Sequence, residues 1–305
     1  MLSPAYEERL LQDYSASTVD TLVHDWRHAP LPDQPGETLP YVRLNQDNGT
    51  KPILYVPGFT EGIAAKAPFA AELAELGYDV ILPDQNRKKI LEDGVTGRKS
   101  ATYSQAVNYM AVLAAEGVTE VDVLTHSYGS LIFDRMTRIA TQLGLEYFQE
   151  AKTIMLTPAG FSKESLLKIV TRLAVSVHSE GKGNPKEFDE PDMLKAGIIN
   201  MLANIPRTLR EGVELSRLQV EYRKLLLGRV GTLCLMNYAA DELYPEKVLQ
   251  DEFAKAVTLG ATWAVPIAQK ERFDPQSAKP HATHNDEQFN PYRVAGAVHQ
   301  LLQAA

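Results

Sequence analysis

With 305 residues the chain is long enough for one large α/β domain or two modest ones. Its 44% hydrophobic and 23% charged content suits a globular protein whose core needs neither disulfides nor metals. A net charge of −8 argues against a general nucleic-acid surface, and the single cysteine, Cys234, excludes an intramolecular disulfide and a multi-cysteine zinc site. Charges between Met1 and Leu11, and the lack of any apolar stretch of bilayer length, predict a cytoplasmic protein without signal peptide or membrane span.

The first forty residues predict a polar helix and a proline-rich approach (Pro30, Pro32, Pro35), followed by a strand from Thr38 to Leu44. Ile53 to Val56 is a continuous apolar run closed by Pro57-Gly58, as expected of a central parallel strand buried on both faces. A helix over Ala64–Leu76 stops at Gly77, and the next strand, Tyr78–Leu82, is closed by Pro83-Asp84. A helix over Ser104–Ala115, a strand over Val121–Leu124, a turn at Ser127, a helix to Leu143 and a strand over Thr153–Leu156 follow. Strand and helix alternating at short spacing predict a doubly wound, mostly parallel sheet.

The alternation stops from Ser162 to Leu227, where helical patterns surround a Gly-, Lys- and acid-rich loop over Ser179–Pro191. We read residues 162–227 as a helical insertion, with residues 1–161 and 228–305 forming the core domain. Strand character returns at Thr232–Met236 and Ala261–Val265, and a last helix opens at Asn290-Pro291.

Thr125-His126-Ser127-Tyr128-Gly129 sits between the Val121 strand and an amphipathic helix. A serine at such an apex has a strained backbone and an exposed hydroxyl, and the N–H groups after it open a helix. Serine needs a base to take its proton and a carboxylate to orient that base. On a sheet of this kind both lie past later strands, in the order Ser, acid, His. Asp241 is a carboxylate in the first loop after Thr232–Met236, with Glu242 its nearest competitor. The long loop after Ala261–Val265 holds His281 and His284; His284, seven residues before Pro291, is the preferred base. The two form H-x-x-H without a third ligand in that loop, so no metal is expected. His126 is taken as a turn residue beside the nucleophile. The oxyanion of the tetrahedral intermediate needs donors already aimed at it. The N–H groups of Tyr128 and Phe59 are the candidates, with Gly58 and Gly129 permitting close backbone approach.

On Pro57-Gly58-Phe59, His126-Ser127-Tyr128-Gly129, Asp241 and His284, the chain resembles the α/β-hydrolase superfamily from Ile53 to its C-terminus. It is most similar to the helical-cap group of esterases, lipases, proline iminopeptidase-like enzymes and C–C bond hydrolases. The resemblance implies nucleophile Ser127, orienting acid Asp241 and base His284, with 162–227 as the cap. Two positions depart from the family pattern: Thr125 stands where Gly or Ala is usual, and Pro57 where His is usual. The expected activity is hydrolysis of a carboxylic ester of a small, partly apolar substrate through an acyl-enzyme, without metal or organic cofactor. Amide or peptide cleavage and C–C bond cleavage are the alternatives within enzymes, and a non-catalytic ligand-binding protein on the same fold is the rival outside them. A monomer or homodimer is expected.

Overall fold

Alternate residues of a β-strand face opposite sides of the sheet, so a strand covered on both sides carries apolar residues without polar gaps. Ile53–Val56 is such a strand, buried at all four positions. The computed structural model describes residues 4–32, 34–59, 61–85, 100–160, 168–169, 172, 205–220, 229–237, 246–264 and 291–304. In chain order its main elements are α1 (Pro4–Asp13), α2 (Ala16–Val23), β1 (Arg27–Pro30), β2 (Thr38–Leu44), β3 (Ile53–Val56), α3 (Ile63–Glu75) and β4 (Val80–Pro83). There follow α4 (Ala101–Ala115), β5 (Asp122–His126), α5 (Gly129–Leu143), β6 (Lys152–Leu156), α6 (Ile205–Arg217), β7 (Thr232–Met236), α7 (Glu246–Val257), β8 (Thr262–Ala264) and α8 (Pro291–Ala304).

The eight described strands form one sheet in the order β1-β2-β4-β3-β5-β6-β7-β8. β2 runs antiparallel to both its neighbours, and every pairing from β4 to β8 is parallel. One core lies under α4 and α5, where Leu54, Val56, Val123 and Met155 meet Tyr109, Leu113, Ile132 and Phe133. The other lies under α3 and α8, where Ile53, Tyr55, Leu124 and Ile154 meet Phe69, Leu73, Val294 and Val298. Successive residues of β3 thus feed opposite layers, which is why its sequence is apolar throughout.

Most elements fall within a few residues of the sequence expectations. Thr38–Leu44 and Thr232–Met236 match to the residue. The helix expected from Ser104 starts three residues earlier, because Ser100 caps it by accepting from the Tyr103 N–H (3.1 Å). The N-terminal region departs more. It contains two helices, the second capped by Ser15, and an edge strand, β1, where only a proline-rich approach was expected. β1 spans four residues and pairs on one side only, so its sequence carries no apolar run to betray it.

An ion cluster joins this edge to the sheet. The Arg43 guanidinium forks onto Asp79 (3.0 and 2.6 Å) and reaches Glu116 at the end of α4 (2.6 Å). Arg27 also holds Glu116 (2.9 Å), and the Tyr41 hydroxyl donates to the same carboxylate. Burial pushes the Asp79 carboxyl upward. At Glu116 burial acts the same way, but Tyr41, Arg43 and Arg27 outweigh it and hold the carboxyl below its ordinary range.

Candidate active site

Because β3 through β8 are parallel, their C-terminal ends lie along one edge of the sheet. The chain steps from β3 outward to β4 and returns to β5 on the other side of β3. Open α/β sheets leave a crevice at such a reversal of direction. The segments flanking it here are Pro57-Gly58-Phe59 after β3 and Ser127 after β5.

Ser127 has φ of +48°, in the left-handed region that side chains rarely occupy. Its backbone is pinned on both sides: the N–H donates to Leu156 O (3.0 Å), and the carbonyl accepts from the Ala159 N–H (3.1 Å). The turn then opens α5 at Gly129. Thr125, in the place usual for glycine, is fully buried, with its hydroxyl 3.0 Å from that of Ser130 in the first turn of α5. A hydroxyl pair therefore stitches the strand to the helix across the serine.

The β3 turn packs directly on this elbow. A Cβ added at Gly129 would lie 2.2 Å from Val56 O and 2.9 Å from Pro57 O. Both obstacles are backbone atoms, so neither can rotate away. Gly129→Ala is expected to destabilise the protein by about 1–3 kcal/mol and to reduce activity more than stability, read by a urea titration and an ester assay. The Phe59 and Tyr128 rings meet edge-to-face at 6.0 Å and 83°, which places the two segments proposed to bind the oxyanion side by side.

Below the β3 turn lies a charged cluster absent from the sequence expectations. Lys66, on α3, is fully buried, as is His126 at the end of β5. Glu61 joins them: its Oε1 lies 2.8 Å from Lys66 Nζ and its Oε2 lies 2.9 Å from His126 Nδ1. A carboxylate oxygen that close to Nδ1 requires a proton between them, so Nδ1 carries it. Lys66 Nζ, 3.3 Å from the same nitrogen, is then an electrostatic neighbour of the ring and not its donor. Burial acts to raise the Glu61 carboxyl, but the charges and hydrogen bonds of His126 and Lys66 prevail and hold it well below the carboxylate range. His126 is thus the buried last residue of β5, not a turn residue. A signal for Lys66 existed in the sequence. Ile63, Lys66, Ala67 and Ala70 share one helical face, and the other three are apolar and buried.

Gly58 is held on both its peptide groups. Its N–H donates to Glu61 Oε2 (2.5 Å), and its carbonyl accepts from the side-chain amide of Gln85, just past β4. A Cβ at Gly58 would lie 2.6 Å from Glu61 Oε2 and 2.8 Å from His126 Nδ1, so a side chain there would displace the Glu61 carboxylate from its partners.

Helix α6, within the predicted insertion, docks beside the elbow. Glu214 accepts from the Ala101 and Thr102 N–H groups at the start of α4 (2.7 and 3.0 Å) and from the Tyr128 hydroxyl (3.3 Å). Glu211 is buried and accepts from Gln105 (3.3 Å). Asp241, Glu242, His281, His284 and the 179–191 loop lie outside the described residues. Among the described residues no group of three His, Cys, Asp or Glu side chains could hold a metal ion, and no helix is long and apolar enough to cross a membrane. Cys234 is buried in β7.

No known family model and no curated protein sequence matches this chain. Its backbone nonetheless follows several solved structures over nearly their full length. A thermophilic esterase from Thermogutta terrifontis matches with a TM-score of 0.61 and 13% identity, over 92% of this chain and 98% of that one. A carboxylesterase structure from the thaumarchaeon Nitrososphaera gargenis matches with a TM-score of 0.60 and 11% identity, over 91% and 98%. The esterase RhEst1 from a Rhodococcus species gives 0.57 and 16%, also over 91% and 98%. Identities this low speak to architecture alone, and with the mostly parallel sheet and its flanking helices they show that the chain has the α/β-hydrolase fold.

Proposed function

We propose that the protein is a serine hydrolase that cleaves a carboxylic ester of a small, partly apolar substrate. The observation that carries this reading is Ser127 in the left-handed region, at the sheet's reversal of direction, packed against the Pro57-Gly58-Phe59 turn. Backbone strain at a polar residue persists only where its surroundings enforce it, and here hydrogen bonds to the backbones of Leu156, Ser130 and Ala159 do so. Because several similar solved structures are named as esterases, an ester is the first substrate class to test.

In this mechanism Ser127 Oγ attacks the acyl carbonyl as His284 takes its proton. Asp241 orients the imidazole and stabilises its cation. The Phe59 and Tyr128 N–H groups receive the oxyanion. Collapse expels the alcohol, protonated by His284, and leaves an acyl-enzyme. Water activated by His284 then releases the acid. Residues 162–227 form the cap. The docking of α6 through Glu214 onto Tyr128 and the start of α4 supports a cap that covers the serine and encloses the apolar part of the substrate.

A fluorophosphonate probe tests the reading. Wild type is expected to label once, with the adduct on Ser127 by peptide mass, and Ser127→Ala is expected not to label. A folded wild type that does not react would favour a ligand-binding protein. On a panel of p-nitrophenyl esters and aminoacyl amides, the esters are expected to turn over faster. Activity is expected to rise with pH through the imidazole range, because only the neutral base accepts the proton, and to collapse in His284→Ala. Collapse in His281→Ala instead would move the base to His281.

A further inference from the structure

The proposed oxyanion donor at Phe59 belongs to the peptide unit that begins with the Gly58 carbonyl. Peptide bonds of the described residues are trans, so that N–H and that carbonyl point in opposite directions. Whatever grips the carbonyl therefore aims the N–H. Gln85 does so, from a buried position on the loop after β4. Its own backbone N–H donates to Asp84 Oδ1 (2.8 Å), and the same oxygen accepts from the Ile63 N–H opening α3 (3.3 Å). On the other side of Gly58, Glu61 takes the N–H and is itself fastened by Lys66 and His126. Two neighbouring peptide units are thus fixed from opposite sides by side chains that no proposed chemical step uses.

We infer that Gln85 and Glu61 are positioning residues for the reaction, clamping Gly58 so that the Phe59 N–H faces the oxyanion that forms at Ser127. This deepens the serine-hydrolase reading and rests on it. Preorganised donors accelerate acyl transfer because they need not reorient as charge develops. Free rotation of the Gly58–Phe59 peptide would remove that advantage without removing any reacting group. Burial makes the Lys66–Glu61 ion pair costly to pull apart, so the pair, with His126 on the other carboxylate oxygen, anchors the clamp.

The test compares wild type with Gln85→Met, which keeps the length and loses the donor, and with Gln85→Glu, which keeps the shape. Thermal melts first establish that each is folded. Removing an oxyanion donor outright costs about 100- to 1,000-fold in kcat; a donor left in place but freed to rotate is expected to cost about 10- to 100-fold. Gln85→Met is therefore expected to lose kcat by that factor with little change in KM. Affinity for phenylboronic acid, which forms a tetrahedral adduct on the serine, is expected to fall in the same proportion. In Gln85→Glu only the protonated carboxyl can donate to the Gly58 carbonyl. Its kcat relative to wild type at the same pH is expected to rise as pH falls, a signature that a purely structural role would not produce.

Wild-type kcat and boronate affinity in Gln85→Met, or a Gln85→Glu ratio flat in pH, would overturn the clamp while leaving Ser127 as nucleophile. If Gln85→Met does not fold, the pH dependence of the Gln85→Glu ratio decides alone. Fluorophosphonate labelling of wild type and Ser127→Ala, run alongside, separates the two failures. A wild type unlabelled at Ser127 removes the reading and the clamp together.

Discussion

Ser127→Gly is expected to lower kcat by about a millionfold and, in the same protein, to raise its melting temperature. The first effect is loss of the proposed attacking oxygen. The second comes from the backbone. Left-handed geometry costs a residue with a Cβ roughly 1–2 kcal/mol, and glycine escapes that cost. Part of the gain is offset by about 0.4–1 kcal/mol of extra freedom that glycine gives the unfolded chain. A net stabilisation of up to about 1.6 kcal/mol remains, measurable by thermal or urea unfolding. Ser127→Ala is expected to lose the same activity without that stabilisation, since alanine keeps the Cβ. The two variants thus separate the strain of the elbow from its chemistry. A Ser127→Gly protein less stable than Ser127→Ala would mean that φ of +48° imposes no strain here.

Glu61→Ala is expected to cost about 3–5 kcal/mol of stability, because it removes the carboxylate paired at 2.8 Å with the buried Lys66 ammonium. The double variant Glu61→Ala/Lys66→Met is expected to recover much of that loss, giving a strong non-additivity in urea titrations. Dependence on pH supplies a second signature. The Glu61 carboxyl is held below its ordinary range, so folding favours its ionised form. That contribution is complete above the unfolded-state value of about 4.3 and drains away as pH falls below it toward the depressed folded value. Wild type is therefore expected to lose stability on acidification below about pH 4, and Glu61→Gln to lose less over the same interval. With Lys66→Met completing the cycle, single-variant losses that simply add in the double variant would show that the pair contributes nothing.

How much of this was legible in the sequence depended on what each residue had to satisfy. Strands buried on both faces announced themselves, since Ile53–Val56 and Thr232–Met236 must be apolar to fill two layers at once. The serine elbow was legible because it needs a strand before it and a glycine after it. β1 was not, because an edge strand of four residues answers to one neighbour only. The charged cluster was missed for a different reason. Glu61, Lys66 and His126 come from a loop, a helix and a strand, and each has an innocuous local reading. They become a unit only when β5 lies beside β3 and α3 covers the face shared by Leu124 and His126. The Gln85 contact was hidden likewise, since only the strand order places the end of β4 next to the turn after β3.

The outer margin of the sheet has a consequence for how copies of this protein meet. A growing aggregate needs a strand whose outward amides and carbonyls can accept another chain. β1 offers four residues, the last of them Pro30, which has no amide hydrogen, and its first, Arg27, is drawn aside to Glu116 and Gln46. On that flank the molecule presents a blunt, charged seam too short to template a neighbour, so crowding is expected to drive copies together elsewhere on the surface before it does so there.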